Sequence, residues 1–285
     1  MSTPKTAFVT GASSGIGHAT ALELARAGFF VFAGVRNASD AMRLGREGLE
    51  PVELDVTDDS SIAAAADLVH SGRGLASGER GHLDVLVNNA GIGAIAPVEH
   101  VSQDELRRVF DVDFFGQVAV IQAFLPLLRA SRGRIVNIGT VGSHLALPFG
   151  SPLGAAKAAF RSMNDSLRLE LRPFGIHVTI VEPGAINTPA IGKTLGDPEG
   201  TVERLGLAGS MRYGDAMRKM MRRGFELESG GSPPEVVART VLRAVTAKRP
   251  RIAYRSGKTA GILTLMRAVP PRVYDLFVAL LLSYA

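Results

Sequence analysis

The residues Thr10-Gly11-Ala12-Ser13-Ser14-Gly15-Ile16-Gly17 follow a short apolar run and open a helical pattern. Chemistry on phosphates needs that combination. Glycines let the backbone approach a pyrophosphate, and a helix N-terminus supplies free N–H groups and the positive end of a dipole. The same glycines also suit a tight turn; their place at the first strand–helix junction favours the phosphate role. Gly11, Ser13, Ser14, Gly15, Ile16 and Gly17 are therefore the first candidate ligand contacts. Other chemistries are excluded by composition. The chain has no cysteine, so it has no disulfide, thiolate nucleophile or zinc–thiolate site. Its six histidines (His18, His70, His82, His100, His144 and His177) are scattered without an HExxH or other ligand spacing, so no catalytic metal is expected.

Positioning such a loop takes strands and helices in alternation, and the chain supplies them. Its 285 residues are 46% apolar, enough to bury a full core. Strand-like runs fall at 6–10, 29–35, 51–54, 83–88, 134–138, 177–181 and 251–254. Helical patterns fall at 15–27, 102–130, 152–172 and 233–246. Ser232-Pro-Pro-Glu235 has the form of an N-cap with Pro at the first helical position and Glu at the third. This order predicts an α/β fold: a Rossmann-type doubly wound parallel sheet in a single domain, residues 1–285. Residues 1–190 would form the core, and 248–285 a basic and apolar C-terminal extension. Two stretches read as loops, 71–81 and the glycine-rich 191–231, the latter a substrate lid with short helices of its own.

The motifs together resemble the short-chain dehydrogenase/reductase superfamily. TGASSGIG is similar to its TGxxxGIG pattern, and Asn88-Asn89-Ala90-Gly91 to its NNAG motif. Leu54-Asp55-Val56 resembles its adenine-contacting Asp-Val step. Pro183-Gly184, with Thr188, resembles the segment that meets the nicotinamide. The resemblance runs from residue 6 to about 190 in the family's order. It implies a dinucleotide site that includes Asp55, Val56, Asn88, Ala90, Gly91, Pro183, Gly184 and Thr188. The choice of dinucleotide has a physical handle. NAD selection uses an acid at the end of the second strand to bind ribose hydroxyls. Here that strand ends Gly34-Val35-Arg36-Asn37. Arg36 can pair with a 2′-phosphate, and Ser14 can add a hydroxyl. NADP(H) is the expected cofactor.

The family's chemistry rests on Asn, Ser, Tyr and Lys, and the resemblance maps them to Asp113, Thr140, Leu153 and Lys157. Lys157 matches the lysine that binds the nicotinamide ribose. Thr140 keeps a hydroxyl. Leu153 cannot donate a proton, and no tyrosine precedes Tyr213. His144 follows Thr140 by four residues on a loop expected to border the substrate, and histidine is the usual general acid near neutral pH. It reads equally as a pocket-lining residue. Asp113 is expected to pair with Lys157 or to act as a base. Ser143, Leu147 and Leu153 are candidate pocket residues, with Ser151 a further hydroxyl. Three readings follow. The first is a carbonyl/alcohol oxidoreductase with an atypical site. The second is a non-redox enzyme on the same scaffold: an isomerase, cyclase, dehydratase or aldol-type catalyst. The third is a non-catalytic NADP(H)-binding protein. The 139–188 segment is most similar to the steroid and retinol dehydrogenase branch. With the apolar loop Leu145-Ala146-Leu147-Pro148-Phe149, that implies a small apolar substrate such as a steroid, retinoid, lipid or polyketide. It also implies a homodimer or homotetramer built on the two long helices.

Charge adds a last feature. There are 32 Lys and Arg against 27 Asp and Glu, net +5, a balance that does not point to nucleic acid. Seven of the cations (Lys248, Arg249, Arg251, Arg255, Lys258, Arg267 and Arg272) precede the apolar VYDLFVALLLSYA without an acid before Asp275. That order suits a membrane surface, an acidic partner, or a tail that closes the substrate pocket. The N-terminus meets glycine too soon to supply a signal-peptide apolar region, and the C-terminal run is too short to span a bilayer. A cytoplasmic location is expected.

Overall fold

Strands dense in Val, Ile, Leu and Phe have two faces to bury and so need helices on both sides. The computed structural model, which describes residues 4–72 and 82–282, shows how they are buried. The strands are β1 (Thr6–Val9), β2 (Phe30–Val35), β3 (Glu50–Glu53), β4 (Val85–Asn88), β5 (Arg134–Ile138), β6 (His177–Pro183) and β7 (Ala253–Ser256). They form one sheet in the order β3-β2-β1-β4-β5-β6-β7, parallel throughout. The order reverses between β1 and β4, where a crevice opens at the carboxyl ends of the strands. This is the single-domain Rossmann-type fold expected from the sequence.

Strand alternation assigns each side chain to a layer. Ala7, Val9, Val85 and Val87 face one core, which α1 (Gly15–Arg26) closes together with a later helix, Glu235–Thr246. Phe8, Leu86 and Ile135 face the other. Against that second face pack α3 (Asp59–His70), which follows α2 (Ala38–Arg46), and then α5 (Gly116–Ser131) and α6 (Ser151–Leu171). α5 continues α4 (Gln103–Phe110) through a π-helical turn at Asp111–Phe115. The whole 103–131 helix has the length and apolarity of a membrane span, but Val120, Ile121, Phe124 and Leu128 lie buried in the core.

The region 191–231 is helix rather than loop. It holds α7 (Ala190–Leu195), α8 (Pro198–Glu203) and the 24-residue α9 (Gly206–Ser229). Glycines and charges disguised it, while Met217, Met220 and Met221 sit at helical spacing and are buried. With Phe149, Val202 and Val278 they form a third, smaller core. α2 and α3 also escaped the periodicity, although Asn37 and Asp58 cap them by accepting from first-turn N–H groups. α10 (Glu235–Thr246) starts at Glu235 without a side-chain cap. Ser232, expected to cap it, instead accepts from the Lys258 N–H. α11 (Ala260–Leu265) and α12 (Pro271–Leu282) complete the chain. Most of the expected 71–81 loop lies outside the described residues.

Phe124 joins the helix layer to the sheet. Its ring is fully buried, 4.7 Å from the Phe8 ring centroid. Phe124→Ala is expected to destabilise the fold by about 3–5 kcal/mol, measured as a lowered urea midpoint at unchanged slope.

Candidate active site

The chains leaving β1 and β4 are stitched together at the crevice. The Thr10 hydroxyl accepts from the N–H groups of Asn89 (2.8 Å) and Ala90 (2.9 Å). The Asn89 amide donates to the carbonyls of Thr10 (3.0 Å) and Gly11 (3.2 Å). Gly11 has φ +64°, and a Cβ there would lie 2.9 Å from the Ala90 Cα. A Cβ on Gly17 would fall on the Gly11 carbonyl oxygen and the Asn89 amide. Only glycine satisfies both positions. α1 then starts at Gly15 after Ser14, which makes no capping bond, and its first turn holds no acid. Its free N–H groups and dipole are left for an anion. A cradle that any side chain would fill, ending on an uncapped helix, fits a dinucleotide diphosphate.

The structure gives the surroundings of three further residues read from sequence as cofactor contacts. Asn88 is buried and donates to the Gln117 carbonyl, so its neighbour Asn89 is the residue that clasps the loop. Val56 is buried, with its carbonyl against Gly116. Thr188 packs at the loop itself, 3.2 Å from where a Gly15 Cβ would stand. Arg43, absent from the sequence reading, donates from α2 to the Ser13 carbonyl and bonds Glu47. His18 also bonds Glu47, and that bond, with Arg43 adding to it, holds the Glu47 carboxyl below its ordinary value.

Farther along the crevice, a cavity of about 440 Å³ is lined by Arg36, Asp55, Thr57, Ile92, Asp104, Arg107, Arg108, Asp111 and Val112. This joins the predicted Arg36 and Asp55. Hydrogen bonds from the Thr57 backbone and hydroxyl lower the Asp55 carboxyl, and the Arg36 charge lowers it further. Arg107 and Arg108 gave no signal in sequence beyond being charged residues on an amphipathic helix.

The catalytic positions separate into two groups. Asp113 sits in the π-helical turn with no exposed surface. One of its oxygens accepts from the Ile92 N–H (3.0 Å), and the other lies 3.0 Å from Lys157 Nζ. A Cβ on Gly91 would lie 2.7 Å from that second oxygen, so Gly91 lies directly over the pair. Lys157 is held by α6, which a buried Asn137–Asn164 hydrogen bond of 2.9 Å pins to β5. Asp113 is thus paired with Lys157, as the sequence allowed. Leu153 is half-buried one helical turn before Lys157. The half-buried Thr140 accepts at its hydroxyl from the Gly142 N–H (3.1 Å) and retains a proton to donate. The Ser143 hydroxyl is turned back onto the Thr140 carbonyl (2.8 Å).

His144 belongs to the second group. Its Nε2 lies 2.7 Å from Glu182 Oε1, on β6, and Arg161 of α6 shares that carboxylate. All but 6% of the His144 side chain and 2% of Glu182 is covered. The hydrogen bond and ion pair of His144 go to Glu182 and not to Thr140, Leu153 or Lys157. The Tyr213 hydroxyl donates to Glu99 (2.6 Å), away from the pair. The substrate loop carries the one local oddity. Phe149 is buried at φ +63°, uncommon for an aromatic residue, and its carbonyl accepts from Ala96. Leu147, two residues before it, is 46% exposed.

Comparison with known proteins agrees with this geometry. A family model described as short chain dehydrogenase matches residues 5–198. Human 17-beta-hydroxysteroid dehydrogenase type 1 is 34% identical over 91% of this chain and 79% of its own length. Retinol dehydrogenase 5 of Mus musculus is 36% identical over 94% and 86%. A short-chain dehydrogenase from Streptomyces avermitilis superposes with a TM-score of 0.75 at 28% identity, covering 99% of this chain and 98% of its own.

Glu228 supplies a pH test. Its carboxylate accepts from the Ile186 N–H (3.1 Å) in the segment that leads to Thr188, and burial raises its pKa. With the folded value above the unfolded one, the unfolded chain loses this proton first. Stability therefore falls as pH rises through that window. Glu228→Gln keeps an acceptor and removes the titration. The variant is expected to melt higher than the wild type at pH 8, with the gap closing toward pH 4.

Proposed function

Since this chain belongs to the short-chain dehydrogenase family, we propose that it is an NADP(H)-dependent carbonyl/alcohol oxidoreductase for an apolar substrate, working without the family's tyrosine. The observation that carries this reading is the intact phosphate cradle, with Arg36 where an NAD-selective enzyme would place an acid. The printed names of its steroid and retinol relatives support an apolar substrate.

When bound, the nicotinamide exchanges hydride with the substrate carbon. The chain's own residues do the rest. The 11–17 loop and the α1 N-terminus would hold the diphosphate, and Arg36 would pair with the 2′-phosphate. Lys157 donates hydrogen bonds to the ribose, and its charge is cancelled by Asp113. Thr140 donates to the substrate oxygen, holding it for attack, and water supplies the proton a phenol would have given. The enzyme works in the cytoplasm as a homodimer or homotetramer through the 103–131 helix and α6.

A second reading has its own observation. Leu153 removes the proton donor and Asp113 neutralises the lysine, so the redox relay is dismantled while the cradle stands. Non-redox chemistry on a hydrophobic intermediate would leave that pattern.

Isothermal titration tests the cofactor. NADPH is expected to bind at least about tenfold more tightly than NADH, and Arg36→Asp to reverse the order; equal affinities would overturn the assignment. Turnover with a panel of steroid and retinoid carbonyls tests the chemistry. One NADPH oxidised per product is expected, whereas product in excess of oxidised cofactor establishes the non-redox reading.

A further inference from the structure

We propose that the free edge of β7 carries a binding site for a small polyphosphate, remote from the dinucleotide crevice. Such a site is independent of the oxidoreductase reading.

β7 ends the sheet and pairs with β6 alone among the described strands. Ile252 and Ser256 turn their carbonyls to β6, where they accept from the Ile180 and Gly184 N–H groups. Backbone groups alternate along a strand, so those of Ala253 and Arg255 face the free edge. A cavity of about 470 Å³ lies there, in the size range of small-molecule sites. Ala253, Tyr254 and Arg255 of the strand line it, with Arg243, Arg249 and Arg251 around them, and no Asp or Glu does. Ala253 stands opposite Ile180, and Arg249 and Arg251 precede the strand, so the cavity opens toward the amino ends of the strands. The glycine loop follows β1 and lies at their carboxyl ends.

Four guanidinium groups around one hollow repel one another. A helix C-terminus attracts cations, and Arg243 sits in the last turn of α10. Arg134 already serves that end, donating from the start of β5 to the Ala244 carbonyl (2.9 Å). Arg243 lies over the Tyr254 ring, 5.7 Å from its centroid. Glu182, opposite Arg255 in the register, is buried and bonded to His144 and Arg161. Among the described residues, Arg249, Arg251 and Arg255 form no ion pair. The positive field also reaches His177 at the start of β6: burial lowers its pKa, and the Arg134 charge lowers it further. Guanidinium forks match phosphate oxygens, and several phosphates on one small molecule engage several forks at once. Cations gathered around a hollow suit a compact polyanion, whereas an acidic protein or a nucleic acid is met by charge spread over a surface.

The test is titration calorimetry of the full chain with inorganic tripolyphosphate and with orthophosphate, read alongside amide hydrogen exchange. Tripolyphosphate is expected to bind at least about tenfold more tightly than orthophosphate, and more weakly as salt is added. It is expected to slow exchange in residues 247–256. Arg249→Glu with Arg251→Glu is expected to weaken binding at least about tenfold. Both side chains are exposed, so the melting temperature is expected to stay unchanged. ATP in place of tripolyphosphate separates two sources of the same chemistry. Tighter binding of ATP assigns the site to a nucleoside triphosphate, and equal or weaker binding to inorganic polyphosphate. No binding, equal affinity for orthophosphate, or affinity untouched by the paired substitution overturns the proposal. So does slowed exchange confined to residues 10–17, which would put the anion on the glycine loop. Tighter binding of polyglutamate or of single-stranded DNA than of tripolyphosphate, lost in the same variant, overturns it in favour of an acidic protein or a nucleic acid.

Discussion

The chain leaving β1 lies closer to the chain leaving β4 than a side chain at Gly11 or Gly17 would allow. That approach sets the geometry of the crevice. It brings the Thr10 hydroxyl to two N–H groups and the Asn89 amide to two carbonyls, so four backbone groups are satisfied without water at the mouth of the site. It also aims the first turn of α1 into the crevice. The parallel register of β1 with β4 brings these exits side by side, and the glycines let them close. Arg43, Thr188 and Gly91 all take their places around this junction.

The second half of the site follows a different logic, one of charge. In the family pattern a cationic lysine lowers the pKa of a tyrosine one helical turn away. Here that position is Leu153, so the lysine has no phenol to act on. A buried cation without a partner is costly, and Asp113 supplies the counter-charge in place of a neutral amide. Leu153 thus stands one helical turn from a lysine whose charge Asp113 already balances. The cradle is untouched because it shares no side chain with that pair.

The parts legible in sequence were those with local causes. Strand runs, the glycine loop and Arg36 each carry their reason within a few residues, and the strands stand where they were expected. The errors arose where the deciding partner is distant along the chain. The spacing of His144 from Thr140 suggested a shared site, but its partner Glu182 is 38 residues away on β6 and turns the ring aside. Asn88 and Asn89 are identical in type. Strand alternation sends the first toward Gln117 and the second toward the loop, a distinction that depends on where α5 packs. Arg43, Arg107 and Arg108 were not singled out, because nothing local marks a helix that will lean over a crevice. The lid was mistaken for loop because its glycines and charges outnumber the three methionines that hold it.

Those methionines belong to a core separate from the two that sandwich the sheet. Methionine is unbranched and polarisable, and it repacks with little penalty. A substitution among Phe149, Val202, Met217, Met220, Met221 and Val278 is therefore absorbed within that third core, while the two cores that sandwich the sheet feel little of it. Sequence change is therefore expected to accumulate first in this third core, which can be rewritten without disturbing the register of the sheet or the glycine cradle at its carboxyl edge.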